Sequence, residues 1–379
     1  MTRREWLALT GLALAGSCTP KKGTGYPGYA LISTAGDNSV SVVDLTAFNL
    51  SKTVRLNAAP SGIVSRSSPS LNYVLTPSNG SVHILDGNLA LVNSRRLADE
   101  LSAMRLMPGG KRLIAISERV RELLEVDPAN LAVIHRHPLN ADPKFLEVSG
   151  TGYAAVSTGN DGTVELIDIE NRRHYEVHLE GSVGKLRFRG DGKMLLAANL
   201  GSNALTALTV PDLQVIADLT LAMKPENLCF NFDEGQLFVS GAGMDAIAIV
   251  FPYQMLEVDQ TVLACREPGV MASSENPRYL FVASTSGPEI SILNIDSRKV
   301  VGVAQVGQNP SYITVTPDSQ YALILDETSG DMAVIHIPGI HSGSKMGGLP
   351  AWASVSTSLF TMLPVGDRPV EAVVVPRSA

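Results

Sequence analysis

KLRFRGDGKMLLAANLGSNALTALTVPDLQVIADL, residues Lys185–Leu219, sets out the grammar of the whole chain. Lys185–Arg189 alternates polar and apolar residues, and Gly190-Asp191-Gly192-Lys193 turns the chain into the apolar run Met194–Asn199. Gly201-Ser202-Asn203 turns again into Ala204–Val210, and Pro211-Asp212-Leu213 leads to a fourth run, Gln214–Leu219. Short runs rich in Val, Ile and Leu, split by Gly, Asn, Asp and Pro, read as an antiparallel β-meander. No stretch sustains a helical apolar period over three turns, so the chain reads as all-β. Ala98–Met107 comes nearest to an exception and is expected to hold one helical turn at most.

Working outward, the second run of this unit recurs along the chain. Its copies are GYALIST from Gly28, NYVLTP from Asn72, RLIAIS from Arg112, GYAAVS from Gly152, QLFVSG from Gln236, YLFVAS from Tyr279 and QYALILD from Gln320. Aligning Tyr29, Tyr73, Leu113, Tyr153, Leu195, Leu237, Leu280 and Tyr321 gives a period of 40 to 44 residues. A fixed period in this range marks a repeat architecture. Four antiparallel strands per unit suit radial packing in a β-propeller better than a linear solenoid. The innermost strands are expected to begin near Gly62, Ala103, Phe145, Lys185, Asn227, Val270, Tyr312 and Glu371. Three strands are then left over at the start and one at the end. Joined in one composite blade they predict an eight-bladed propeller with 3+1 closure; seven blades is the alternative, if the second or third repeat is not a full blade.

The turns and third strands carry a further likeness. Thr316-Pro317-Asp318-Ser319, Met107-Pro108-Gly109-Gly110-Lys111 and Arg189-Gly190-Asp191-Gly192-Lys193 stand at the first turn. Val40-Ser41-Val42-Val43-Asp44, Val82-His83-Ile84-Leu85-Asp86, Val164-Glu165-Leu166-Ile167-Asp168 and Ile290-Ser291-Ile292-Leu293-Asn294 stand at the third strand. Over residues 28–379 this pattern resembles the YVTN-type β-propeller repeats of exported bacterial and archaeal proteins. The resemblance implies the fold and an extracytoplasmic address; propellers of this kind host unrelated activities.

The first 27 residues read separately. Arg3 and Arg4 precede Trp6-Leu7 and a short apolar run, too short to span a bilayer. Thr2–Leu7 resembles a twin-arginine export signal, with an ordinary Sec-type n-region as the alternative. Leu14-Ala15-Gly16-Ser17-Cys18 resembles the lipobox of bacterial lipoproteins, in which the cysteine becomes the acylated N-terminus. The expected organisation is an export signal over 1–18, a flexible stalk over 19–27 and the propeller over 28–379. Lipid on Cys18 would hold the domain at a membrane in the cell envelope, facing the periplasm or the cell surface.

Composition narrows the partners. The net charge of −7 comes with no basic cluster, which argues against nucleic acid. Cys229 and Cys265 fall on the first and last strands of one repeat. Those strands lie about 14 Å apart at ordinary strand spacing, too far for a bridge, so two separate structural thiols are expected. Asp44, Asp86, Asp127 and Asp168 recur at strand ends, where an Asx oxygen can cap the next turn. Asp37-Asn38, Asn160-Asp161-Gly162 and Ser202-Asn203 look like fragments of a calcium loop, but turn chemistry accounts for them, and no metal site is expected.

Chemistry in a propeller concentrates at the channel mouth, where outer strands lead into the next inner strand. That rim should carry Asp142, Lys144, Lys224, Glu226, Arg266, Glu267, Asn309, Arg368 and Glu371, either as a solvated ring of balanced charge or as a polar pocket for a small anionic ligand or a partner loop. The histidines fall on third and fourth strands or the opposite face, and are expected at the surface for the most part. There is no CxxCH, no Gly-x-Ser-x-Gly elbow and no converging Ser/His/Asp set, so neither a cofactor nor catalytic residues are assigned. An insertion from Gly339 to Ser356 carries His341, Lys345 and Trp352, a candidate partner-binding loop or a segment packed under the ring. The reading is a monomeric, membrane-tethered binding module for an envelope protein, glycan or small ligand, more a binder than an enzyme. The alternative is a lactonase-like hydrolase with its site in the central channel.

Overall fold

In the computed structural model, the described residues are 25–253, 257–340 and 359–377. They form eight four-stranded antiparallel sheets. Seven are simple meanders: blade 1 spans 62–96, blade 2 103–138, blade 3 145–178, blade 4 183–220, blade 5 227–263, blade 6 268–305 and blade 7 310–364. Blade 8 joins three strands from the start, Gly28–Thr34, Ser39–Asp44 and Asn49–Arg55, to the inner strand Pro369–Pro376 from the end. Tyr29 is flanked by Asp44 on one side and Val375 on the other, so the two ends of the propeller share one sheet. Each inner strand packs on the inner strands of both neighbouring blades, and the ring is closed. This is the expected eight-bladed, 3+1 arrangement. Cys18, His341, Lys345 and Trp352 lie outside the described residues.

Burial follows the distance from the axis. The two middle strands of a blade are covered on both faces by the adjacent blades, as in Met194–Asn199 and Tyr321–Asp326, whose residues are all buried. That is why these segments read as continuous apolar runs. Outermost strands such as Asn49–Arg55 and Leu91–Arg96 are exposed almost throughout and are accordingly polar. The core therefore consists of separate apolar layers between blades. One joins Phe281, Ile290 and Ile292 of blade 6 to Ile324, Ala333 and Ile335 of blade 7. Each of the larger side chains in such a layer contributes roughly 1.5–3 kcal/mol by leaving water.

Turn chemistry is as the sequence implies. The carboxylates of Asp44, Asp86, Asp127 and Asp168 accept the backbone N–H of Thr46 (2.8 Å), Asn88 (3.0 Å), Ala129 (2.8 Å) and Glu170 (3.1 Å). Asn38 and Asn203 take positive φ in their turns, a conformation Asn tolerates better than most residues. Cys229 and Cys265 are both free thiols. Ala103–Leu106 is an inner strand, while Pro77–Asn79 and Ile337–Gly339 are the 3-10 turns among the described residues.

Candidate functional site

Val270 and Met271 of blade 6 are half-buried, whereas on the other seven inner strands a mid-strand apolar residue is driven between blades: Ile63, Met104, Leu146, Leu186, Leu228, Ile313 and Ala372 are all buried. Because successive side chains in a strand point to opposite sides, the residues before and after each of these turn toward the axis. Two layers result. The upper one, nearer the outer-to-inner connections, includes Phe145, Lys185, Asn227, Val270, Tyr312 and Glu371. The lower one includes Arg105, Glu147 and Arg187, with Val64, Thr314 and Val373 on the opposite arc. The channel holds an upper cavity of about 320 Å³ and a lower one of about 650 Å³ that opens among the first-turn residues Arg66–Ser68 and Pro108–Gly110. Arg105 and Tyr312 line both.

The charges in the channel are unevenly matched. Arg187 Nη1 lies 2.7 Å from Glu147 Oε2. Glu371 Oε2 accepts the Ile63 N–H at 3.3 Å. Gly62 leaves the room for this, since a Cβ there would stand 3.3 Å from the same oxygen. Lys185 Nζ donates to the neutral Asn227 Oδ1 at 2.6 Å. Arg105 Nη1 donates to its neighbour's carbonyl, Met104 O, at 3.0 Å, and no ion pair reaches it among the described residues. The Tyr312 hydroxyl donates to Ala372 O at 3.1 Å.

Burial dominates the protonation chemistry here. It pushes the Glu147 carboxyl up against the opposing pull of Arg187 and Arg105. It does the same to Glu371 against Arg105. The Lys185 ammonium is pushed down by burial, with Arg187 and Arg105 adding to the effect and the Glu226 carboxylate opposing it. The Tyr312 phenol is pushed far up by burial, and Glu371 adds to the shift.

Of the nine rim residues read from the sequence, Lys144 and Glu371 line the upper cavity. Asp142, Lys224, Glu226, Arg266, Glu267, Asn309 and Arg368 lie in the connections above it and are exposed. Part of this rim is internally paired: Asp142 with Arg121 at 2.5 Å, and Lys144 with Glu118. Arg105, Glu147, Lys185, Arg187 and Tyr312 are the channel residues that a reading of the connecting loops does not assign to the site. The alternation of KLRFR, Lys185–Arg189, carries the signal for two of them: Lys185 and Arg187 face the axis, while Arg189 lies past the strand end and pairs with Asp191. Among the described residues, no group of three His, Cys, Asp or Glu side chains converges in the way a metal-assisted lactonase site calls for.

The surface assignment of the histidines holds for His174 and His178, which are exposed, and needs correction for two others. His83 is 2% exposed and His137 7%. The third strand that carries His83 is covered on both faces by adjoining blades, and on the otherwise largely exposed fourth strand of blade 2 His137 is the one buried residue. His83 is hydrogen-bonded by Thr76 Oγ1 (3.0 Å) and Ser94 Oγ (2.7 Å), and burial pushes its pKa down. Burial likewise lowers His137, with His135 adding to the effect. His174 is raised by its hydrogen bond to the fully buried Glu165, whose Oε2 is 2.7 Å from Nε2. No described histidine lines either channel cavity.

No protein-family model matches the chain, and no curated protein matches it in sequence. Many solved structures share the architecture. The dihydro-haem d1 dehydrogenase NirN, solved in complex with DHE, is 12% identical with a TM-score of 0.76, over 94% of this chain and 77% of that one. Apo AztD from Citrobacter koseri is 12% identical with a TM-score of 0.67, over 92% and 97%. A Bacteroides fragilis protein named provisionally as a 6-phosphogluconolactonase is 14% identical with a TM-score of 0.58, over 92% and 98%. At these identities the likeness bears on the fold alone; the eight blades are read from this chain's own sheets, and activity is left to the residues of the site.

Proposed function

We propose that this chain is an extracytoplasmic propeller of YVTN type, tethered to a membrane through lipid on Cys18, that binds a ligand in its central channel without transforming it. The observation that carries the binding reading is Arg105, a cation in a water-accessible channel with no carboxylate in contact among the described residues. A half-buried charge whose surrounding carboxylates, Glu147 and Glu371, act on it only from beyond ion-pair distance is costly to maintain, and a bound anion or partner group would supply a counter-charge in contact. The upper cavity is at the small end of the range typical of small-molecule sites. A neighbour in fold, NirN, was solved in complex with DHE, which supports a ligand-holding role for the architecture.

Two experiments test this. Native mass spectrometry of protein purified from envelope should detect a bound small molecule that is released on denaturation. A protein that carries nothing and takes up nothing from envelope extract would defeat the binding reading. Globomycin should block maturation of the wild-type chain and have no effect on Cys18→Ala, and that variant should leave the membrane fraction.

A further inference from the structure

We propose that the upper cavity takes a small organic acid, its carboxylate held by Arg105 and Lys185 and its apolar body set against Phe145 and Val270. This rests on the binding reading above and gives it a ligand class. The charged groups that line the upper cavity neutralise one another incompletely. Glu147 is committed to Arg187 at 2.7 Å. Glu371 is committed to the Ile63 N–H. The carboxylate that acts on Lys185 is Glu226, which lies on the exposed rim beyond ion-pair distance. Two cations on blades 2 and 4 therefore face one cavity with direct hydrogen bonds, among the described residues, only to neutral groups, Met104 O and Asn227 Oδ1. The carboxylates that act on them, Glu147, Glu371 and Glu226, do so from beyond ion-pair distance.

The kind of anion follows from the remaining walls. Arg105 spends one N–H on Met104 O, so its planar fork still offers donors matched to a carboxylate. Phe145, Val270 and Met271 add apolar surface to the same cavity, which an inorganic anion would leave uncovered and an organic acid would bury. Glu147 and Glu371 are both pushed by burial toward their neutral forms, which lessens their competition with an incoming carboxylate.

Fluorine NMR of the full-length protein with 4-fluorobenzoate and 4-fluorobenzamide tests the assignment, because the two probes share a ring and differ in charge. The acid should bind tighter than the amide by about tenfold or more, the effect of one charge-assisted hydrogen bond. Arg105→Gln and Lys185→Gln should each remove most of that preference, and Arg105→Lys should restore part of it. Unchanged cooperative unfolding of the variants shows that folding is intact. Equal binding of acid and amide, or a preference that survives both glutamine variants, overturns the acid assignment and leaves the binding reading standing. Binding of neither probe also overturns it, and the mass-spectrometric release experiment then decides the binding reading on its own.

Discussion

Arg105 and Tyr312 are the two side chains that line both channel cavities, and so they form the waist between them. Tyr312 is held there by its bond to Ala372 O, across the blade 7 to blade 8 boundary. Tyr312→Phe keeps the ring and loses that bond, and should lower stability by about 1 kcal/mol. Urea denaturation measures this; an unchanged midpoint would mean that the hydroxyl contributes nothing to the waist.

The closing blade predicts a sharper loss. Pro369–Pro376 pairs with Gly28–Thr34 and packs on the inner strands of blades 1 and 7. A chain ending at residue 368 leaves the inner edge of blade 8 unpaired and the ring open. It should lose its single cooperative thermal transition and bind a hydrophobic dye such as ANS. A sharp, wild-type-like transition would contradict the role given to this strand.

Between blades 6 and 7, Phe281 is fully buried in a continuous apolar layer. Phe281→Ala should destabilise by about 3–5 kcal/mol, combining lost transfer energy with a cavity the rigid blades cannot fill. Chemical denaturation gives the value directly.

The histidines shape the pH profile of stability in opposite senses. Burial depresses His83, His137 and His336 in the folded state, so the unfolded chain binds the extra protons. Their contribution is present above the unfolded pKa of about 6.5 and is lost as pH falls below it. His174 is raised by Glu165, so its contribution is full below about 6.5 and is lost as pH rises through its folded value. Denaturation midpoints measured across this range should show His83→Asn flattening the acid side and His174→Gln flattening the neutral-to-alkaline side. An unaltered slope in either variant would contradict the corresponding assignment.

Gly62→Ala tests the seat of Glu371. The added Cβ meets Glu371 Oε2 at 3.3 Å, and the carboxylate is the flexible end of its side chain. A small outward shift should weaken the Ile63 N–H bond while the lost glycine entropy offsets it, leaving stability within about 1 kcal/mol. The amide of Ile63 should move in NMR spectra and report the displaced carboxylate.

The repeat in the sequence held the fold because each blade restates the same strand and turn chemistry, and the phase of its ends revealed the closure. Depth was harder to read. His83 and His137 sit far from the axis yet deep between blades, and strand order within a repeat reports only the first of these distances. The channel was partly legible. Lys185 and Arg187 alternate in plain view, whereas Arg105 and Glu147 become neighbours only when blades 2 to 4 are set side by side. The connecting loops drew attention to charges such as Asp142 and Lys144, which largely find partners on the rim itself.

The composite blade also sets an orientation. Gly25, the first described residue, and Arg377, the last, emerge on one face, where Arg377 Nη2 lies 2.9 Å from Asp44 Oδ2 and its backbone N–H reaches Pro27 O. The connection carrying the insertion after Ile340 leaves blade 7 on that same face. From a lipid on Cys18, the seven residues to Gly25 can reach about 25 Å at full extension. Under the proposed tether, the ring rides on a short leash with this face turned to the bilayer. The rim above Arg105 and Lys185 then looks outward, like a cup held up to whatever the surrounding compartment delivers.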